Sequence, residues 1–297
     1  MAPEQQRNVR HRAEQLAAPL PPLLVAAERV ASTVAQGVHG RRRVGQGETF
    51  WQFRRYEFGD PAQLIDWRQS AKSQNLFVRE HEWEAAQSVW LWRDCSASMS
   101  YRSERTLPEK IRRAELLLLA LMALLIRAGE HITLLGSGLT PSTGRATFHR
   151  LAGLVARQDG SQAGADLPVF EVLPRYAQLV LIGDFLSPAE DIHACIGRFA
   201  ARGCRGHLLQ ILDPAEVTLP FRGRVRFAGL EDEAEIATLG RVESVRGEYR
   251  SRLRTHRDQV AALARAVGWG YSSHRTDRPP QAPLLGLYMA LDQRLRR

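Results

Sequence analysis

Residues 88–98 of this chain read Ser-Val-Trp-Leu-Trp-Arg-Asp-Cys-Ser-Ala-Ser, an apolar run that ends in a short polar segment. The apolar run predicts a buried strand, and the polar segment predicts the loop that follows it. Loops at the carboxyl ends of strands form the functional sites of open α/β folds. The segment from Asp94 to Ser98 is therefore the first candidate site of the chain.

This segment offers one carboxylate and two hydroxyl groups on alternate residues, from Asp94, Ser96 and Ser98. Hard oxygen donors of this kind suit Mg²⁺, which binds one or two carboxylates and keeps several waters. Asp and Ser are also common in turns and helix caps, so a plain strand-to-helix turn is the alternative interpretation. The motif by itself leaves both interpretations open.

From Ser88 onward, strand-like and helix-like runs alternate regularly, which predicts an α/β fold with a doubly wound, mostly parallel sheet. A second apolar strand, Leu179 to Ile182 with Gly183, ends in Asp184, as the first ends in Asp94. Further strands are expected over 131–135, 206–214 and 269–273, an edge strand over 146–149 with a short helix over 151–157, an edge ribbon over 224–227, and helices over 108–128, 188–202, 244–267 and 283–296.

The amino-acid composition upstream of residue 87 differs from that of the α/β region, and the whole chain is therefore expected to divide into three segments. Residues 1–36 form a charged N-terminal arm and a helix, and residues 37–86 form a small accessory region that is aromatic, β-prone and rich in turns. Residues 87–297 form the α/β domain. The fold class is thus a Rossmann-type sheet with a β-rich addition on its N-terminal side.

Composition is that of an ordinary soluble globular protein, with 44% hydrophobic and 25% charged residues in 297. Three cysteines without zinc-like spacing indicate neither a disulfide framework nor a zinc site, which favours a reducing cytoplasm. The longest apolar run, Leu116 to Ile126, is too short for a spanning helix, so no integral membrane segment is predicted.

Net charge is +9, which raises the question of nucleic-acid binding. Arginine supplies 39 of the 41 basic residues, and the lysines are Lys72 and Lys110, a bias typical of a high-GC genome. An Arg-rich solvated face, or a surface that docks an acidic protein, is therefore favoured over nucleic acid.

The accessory region holds a cluster of polar and aromatic residues, namely Arg55, Tyr56, Asp60, Asp66 and Trp67. The two aspartates could form a catalytic acid/base pair. A structural network of ion pairs and turns is favoured, because no histidine or nucleophile accompanies them.

Two sets of motifs resemble known families. The Asp-x-Ser-x-Ser loop at 94–98, the strand-Asp at 182–185 and the alternating β/α order resemble the von Willebrand factor A domain. The upstream blocks, Arg-Tyr-x-x-Gly-Asp at 55–60, Ile-Asp-Trp-x-x-Ser-Ala-Lys at 65–72 and Val-Arg-Glu at 78–80, are similar to those of the bacterial domain-of-unknown-function-58 family. The resemblance spans roughly residues 40 to 215 and implies an A-like domain preceded by this block.

The resemblance implies a metal-dependent adhesion site for Mg²⁺ or Mn²⁺ with Asp94, Ser96, Ser98 and Asp184 as ligands. The second loop of such a site normally offers a threonine, and this sequence has Ala165 at the corresponding place. The candidate substitutes are Asp166, which is the next residue, Ser161, and Thr140 and Thr143 of the earlier loop.

The resemblance also implies a function. Members of the family are linked with AAA+ ATPases of the MoxR type, so the chain is expected to be a non-enzymatic interaction module that acts as an adaptor. An acidic side chain of the partner would complete the coordination of the cation. The alternatives are a metal-dependent hydrolase or nuclease using Asp94 and Asp184, and a nucleic-acid-binding protein using the Arg-rich surface. The oligomeric state stays open.

Overall fold

The computed structural model describes residues 20–38, 50–55, 70–72, 76–81, 88–157, 166–230 and 236–295. The chain divides into two compact units, one comprising residues 38–86 and the other the remaining residues. The first helix, α1 (Leu20–Val38), thus belongs almost wholly to the larger unit. It buries Ala27, Val30, Ala31 and Val34, a spacing of three and four residues that places these side chains on one face of the helix.

The smaller unit contains two antiparallel strands, β1 (Phe50–Arg55) and β2 (Phe77–His81). They confirm a β-rich region that precedes the main sheet in the sequence. Tyr56, Asp60, Asp66 and Trp67 lie outside the described residues, and of Arg55 only its place at the end of β1 is described. The network expected among these five residues therefore stays a prediction.

The larger unit alternates strands and helices. In chain order its further elements are β3 (Ser88–Arg93), α2 (Lys110–Arg127), β4 (His131–Leu134), α3 (Arg145–Arg157), β5 (Gln178–Gly183), α4 (Ala189–Ala200), β6 (Arg205–Leu212), α5 (Pro214–Thr218), β7 (Val225–Ala228), β8 (Ile236–Leu239), α6 (Val242–Ala266), β9 (Gly270–Arg275) and α7 (Gln281–Leu295).

Five strands of this unit pair in parallel in the order β4-β3-β5-β6-β9. This arrangement confirms the doubly wound α/β fold of the von Willebrand factor A type. Both β3 and β5 are buried at every residue, as expected for central strands covered on both faces. On one face, Trp90 and Leu181 share a core with Ile192 and Phe199 of α4 and Val260 of α6, while α2 packs along the opposite face.

The expected edge strand over residues 146–149 is wrong. One helix, α3, covers this segment together with the helix expected over 151–157. Phe148, Leu151, Ala152 and Val155 recur at helical spacing and are all buried. Packing of this stripe outweighs the local strand preference of Thr147 and Phe148, so tertiary burial decides the secondary structure here.

The expected ribbon near residue 225 is confirmed, because β7 and β8 pair antiparallel. Among the helices in the described ranges, none has the length and apolar character needed to cross a membrane.

Candidate functional site

Three adjacent strands of the parallel sheet end in an aspartate. Asp94 follows β3, Asp184 lies just after β5, and Asp213 follows β6. All three are almost fully buried, with exposed fractions of 0%, 2% and 0%. The sequence pattern predicts the first two of these carboxylates, and the fold adds the third. Together they form the polar centre of the sheet's carboxyl edge.

Asp94 is held by its own loop. Its Oδ1 accepts a hydrogen bond of 2.7 Å from the backbone N–H of Ser96. Its Oδ2 is buried and has no hydrogen-bond partner within the described part of the chain. Burial, together with the nearby carboxylate of Asp184, raises the pKa of Asp94 from 3.8 to about 7. The side chain is therefore a buried carboxyl group with one oxygen still able to accept a ligand or a proton.

Ser96 and Ser98 do not behave as ordinary helix caps. Ser96 is at the N-cap position of the short 3-10 turn Ala97–Ser100, yet its side chain makes no capping hydrogen bond. The two hydroxyl oxygens lie 3.0 Å apart, and Ser98 Oγ donates to Asp184 Oδ2 at 2.6 Å. The fold thus brings the four predicted ligand residues together at one place.

Asp184 does not cap α4 either, because the N-cap of that helix is Pro188. Its Oδ1 accepts the backbone N–H of Leu186 at 3.3 Å, and its backbone carbonyl accepts Nε2 of Gln210 at 2.7 Å. Tyr271 in turn donates to Oε1 of Gln210 at 2.6 Å. The loop after β5 is therefore fixed by hydrogen bonds from β6 and, through Gln210, from β9.

Lys110, the first residue of α2, was not predicted from the sequence as a site residue. Its side chain is fully buried, with Nζ 2.9 Å from Oδ2 of Asp184 and 2.5 Å from Oε1 of Glu216. Burial alone lowers the pKa of Lys110, but the two carboxylates outweigh burial and keep that pKa above its ordinary value. Lys110 is one of two lysines in a chain whose other basic residues are arginine, a signal that could have identified it.

Glu216 is held by a capping box at the start of α5. Asp213 Oδ1 accepts the backbone N–H of Ala215 at 2.8 Å, and Glu216 Oε2 accepts that of Asp213 at 2.7 Å. The second oxygen of Asp213 accepts the backbone N–H of Ser103 at 3.0 Å. One carboxylate oxygen of Glu216 therefore fixes α5, and the other faces Lys110.

Asp166, the candidate substitute in the second loop, accepts a hydrogen bond of 2.7 Å from the hydroxyl of Ser187. Its neighbour Ala165 lies outside the described residues. Asp166 lines the same cleft as Ser98 and Asp184. Its role as a cation ligand stays a prediction.

Ser98, Asp166, Asp184 and Glu216 line the floor of a cleft of about 650 Å³ at the carboxyl edge of the sheet. Its walls are largely apolar and include Leu186, Leu219, Phe221, Phe227 and Leu230. Among the described residues that line it, the ionisable ones are Asp166, Asp184, Glu216, Tyr101 and Tyr249. The cleft of a chain with a net charge of +9 is thus acidic.

The donor atoms are of the type that Mg²⁺ or Mn²⁺ prefers, but a buried ammonium group already lies among them. The ammonium of Lys110 lies against the carboxylate of Asp184, one of the implied ligands, and a divalent cation beside this ammonium would be repelled. In the described part of the chain, no three His, Cys, Asp or Glu side chains group closely enough to hold a metal ion. With Lys110 in place, the arrangement does not fit a divalent cation. Binding of the implied metal ion stays a prediction, which titration can test.

The fold is that of a doubly wound α/β protein, consistent with the von Willebrand factor A type. The sequence profile of the family described as "Protein of unknown function DUF58" matches residues 52–259, and the chain belongs to this family.

Among similar proteins are the "Uncharacterized protein Rv1480" of Mycobacterium tuberculosis (strain ATCC 25618 / H37Rv) and the "Uncharacterized protein Mb1516" of Mycobacterium bovis. Each is 27% identical to this chain over 277 residues, which is 89% of this chain and 86% of the relative.

Two solved structures are similar at low sequence identity. An aerotolerance-related membrane protein from Bacteroides fragilis has a TM-score of 0.39 and 13% identity, over 70% of this chain and 99% of its own. The hypothetical protein BatB from Bacteroides thetaiotaomicron has a TM-score of 0.39 and 11% identity, over 71% of this chain and 100% of its own.

Proposed function

We propose that this chain is a non-enzymatic protein-interaction module whose cleft at the carboxyl edge of the sheet docks a segment of a partner protein. The observation that carries the proposal is the combination of a rigid acidic floor with apolar walls. Leu186 and Leu230, which line the cleft, are 43% and 50% exposed, far more than the core leucines. Exposed apolar side chains around convergent polar groups are typical of binding sites.

The chemistry of the cleft favours binding over catalysis. Asp184 is engaged by Ser98 and Lys110, and Glu216 by the α5 cap and Lys110. The described lining contains no histidine, and burial raises the pKa of Tyr249 to about 12, so this phenol stays protonated at neutral pH. A hydrolase or nuclease would need a side chain that is free to accept or donate a proton. The residues described above give little support for such a side chain in the lining of the cleft.

The charge of the cleft points to the chemistry of the docked segment. Since its described ionisable lining consists of carboxyl and phenol groups, a lysine or arginine of the partner is complementary to it, with apolar side chains on either side. This differs from the acidic partner group that a metal-dependent adhesion site implies. The Arg-rich surface outside the cleft can still contact acidic patches of the same partner.

The partner we propose is an AAA+ ATPase of the MoxR type, for which the chain would serve as a cytoplasmic adaptor. The chain belongs to the family, and the resemblance to that family implies a link with such ATPases, which is the basis of this proposal. Binding is tested with the purified ATPase encoded in the same genome, by interferometry with the immobilised chain.

Leu230→Glu places a charge among the apolar walls of the cleft and is expected to weaken binding at least about tenfold. Met289→Glu is the matched control, because Met289 is 46% exposed on α7 and does not line the cleft. If the two variants bind as the unaltered chain does, the cleft is not the docking site.

The sign of the partner's group is tested by Asp166→Asn, with the exposed Asp191→Asn on α4 as the control. Loss of the Asp166 charge is expected to weaken binding about threefold to tenfold, by about 1 kcal/mol. Tighter binding by Asp166→Asn would show instead that the docked group is acidic.

A further inference from the structure

We infer that the ammonium group of Lys110 is the resident cation of this sheet edge and takes the place of a divalent metal ion. The site is then assembled without metal, and a metal binds well only where Lys110 has been removed.

The contacts of Lys110 carry this inference. Its Nζ reaches Asp184 and Glu216 at hydrogen-bond distance, from a side chain with an exposed fraction of 0%. Asp184 is the carboxylate that the third loop of an adhesion site would offer to a metal, and its Oδ2 is shared between Nζ and the hydroxyl of Ser98. The ammonium thus bonds to the carboxylate that the resemblance assigns to the cation.

Two effects other than its ion pairs disfavour a charged lysine at position 110. A buried ammonium loses its hydration, and a positive charge in the first turn of a helix opposes the helix dipole. Both effects disfavour a lysine at the start of α2, unless neighbouring carboxylates compensate. Asp184 and Glu216 do so, and their two negative charges exceed the single charge of Lys110, which leaves the edge anionic.

Lys110 also connects three elements of the edge. It extends from the start of α2 to the loop after β5 and to α5, whose capping box fixes the other oxygen of Glu216. A metal ion in an adhesion site connects loops in the same way. This role is independent of whether a partner docks in the cleft, because it depends only on contacts within the chain.

Removal of Lys110 should convert the edge into a metal site. Lys110→Ala removes the ammonium from Asp184 Oδ2, which then keeps only the hydroxyl of Ser98, and the site retains the unpartnered Oδ2 of Asp94 and the hydroxyl of Ser96. These oxygens then carry uncompensated negative charge in a partly dry site, which favours a small divalent cation.

The test is titration with Mn²⁺ and thermal unfolding in about 10 mM Mg²⁺ or in EDTA, since a ligand that binds the folded state raises Tm. The unaltered chain and Lys72→Ala, which alters the exposed lysine, are expected to change Tm by less than about 1 °C. Lys110→Ala is expected to gain several degrees in Mg²⁺ and to bind Mn²⁺ at least about tenfold more tightly than the unaltered chain.

The double variant Lys110→Ala/Glu216→Gln leaves one buried carboxylate fewer and provides the same readout if the single variant folds poorly. Mn²⁺ binding by the unaltered chain as tight as that of the Lys110 variants would overturn the inference. A folded Lys110 variant that binds no metal would also overturn it. Neither readout involves a partner, so a failure here is distinct from a failure of docking.

Discussion

At the scale of single residues, Gly183 determines how closely β5 can approach the site. A Cβ at this position would lie 2.9 Å from Cβ and 3.0 Å from Oδ2 of Asp94. Gly183 is the last residue of β5, and Asp94 directly follows the adjacent strand β3. Both residues are buried, so neither can move aside without shifting the sheet. The glycine is therefore required for packing and not for an unusual backbone angle.

Gly183→Ala is expected to lower the free energy of unfolding by about 1–3 kcal/mol through overpacking. Gly197→Ala on α4 is the matched control, because its new Cβ would meet nothing within 4 Å. This control should raise stability by about 0.5–1 kcal/mol, as expected for a helical glycine replaced by alanine. Urea unfolding measures both effects, and equal stability of the two variants would contradict the packing argument.

His274 introduces a pH dependence that is independent of the site. The ring is buried at β9, with Nε2 3.3 Å from Nη1 of Arg113, which also donates to the backbone carbonyls of Thr276 and Arg278. Burial and the charge of Arg113, partly offset by Asp277, lower the pKa of His274 from 6.5 to about 4. Since the unfolded chain binds this proton more readily, His274 makes stability fall as the pH decreases from about 6.5 to about 4.

His274→Gln should remove this contribution. Relative to the variant, the unaltered chain is expected to gain about 2–3 kcal/mol of unfolding free energy between pH 4.5 and pH 7.5. The difference between the two proteins is the quantity to measure, because other groups titrate in both. His193→Gln, at an exposed position on α4, is the control and should leave the pH profile unchanged. A pH-independent difference between His274→Gln and the unaltered chain would refute this account.

At the scale of elements, the most consequential contact is the buried bridge from α2 to the loop after β5 and to α5. Lys110→Met is expected to destabilise the chain by about 3–5 kcal/mol, because it leaves two buried carboxylates without their counter-ion. Arg252→Met removes the exposed bridge to Glu248 on α6, with exposed side-chain fractions of 79% and 63%. Its cost should be about 0.5 kcal/mol or less. Guanidinium unfolding of both variants gives the comparison, and similar costs would show that the Lys110 bridge contributes little.

Some elements can be predicted from the local sequence and others cannot. The strands β3 and β5 are buried on both faces, so their sequences are continuous apolar runs, and such runs predict a central strand without knowledge of the tertiary neighbours. The segment 145–157 is half exposed, and its residues Thr147 and Phe148 by themselves favour a strand. Only the stripe through Leu151 and Val155, which packs in the core, selects the helix.

At the scale of the whole molecule, the charge distribution bears on nucleic-acid binding. The net charge of +9 contrasts with the acidic lining of the cleft, and the arginines of the described residues lie on several elements. Guanidinium contacts to phosphate are independent of base sequence and weaken steeply with salt. We expect weak binding to DNA that is equal for two unrelated sequences and is lost by about 200 mM salt. Fluorescence anisotropy measures this, and a tenfold preference for one sequence would revive the nucleic-acid alternative.

The fold class and half of the site follow from the sequence alone. Alternation of apolar and amphipathic runs requires a sheet covered by helices, and an aspartate directly after an apolar strand must lie at the sheet's carboxyl edge. Asp94, Ser96 and Ser98 share one loop, so their proximity is a local property. Asp184 joins them because β5 pairs beside β3, which the strand pattern favours but does not specify.

Only the tertiary structure decided that a lysine partly compensates the negative charge of this site. Lys110 is 74 residues from Asp184 and 106 from Glu216, and these long-range contacts have no local pattern in the sequence. A lysine at the start of a helix reads as a solvated surface residue until the helix is packed against the sheet. Burial then makes its charge expensive unless it is paired, and that energetic requirement brings Lys110, Asp184 and Glu216 together.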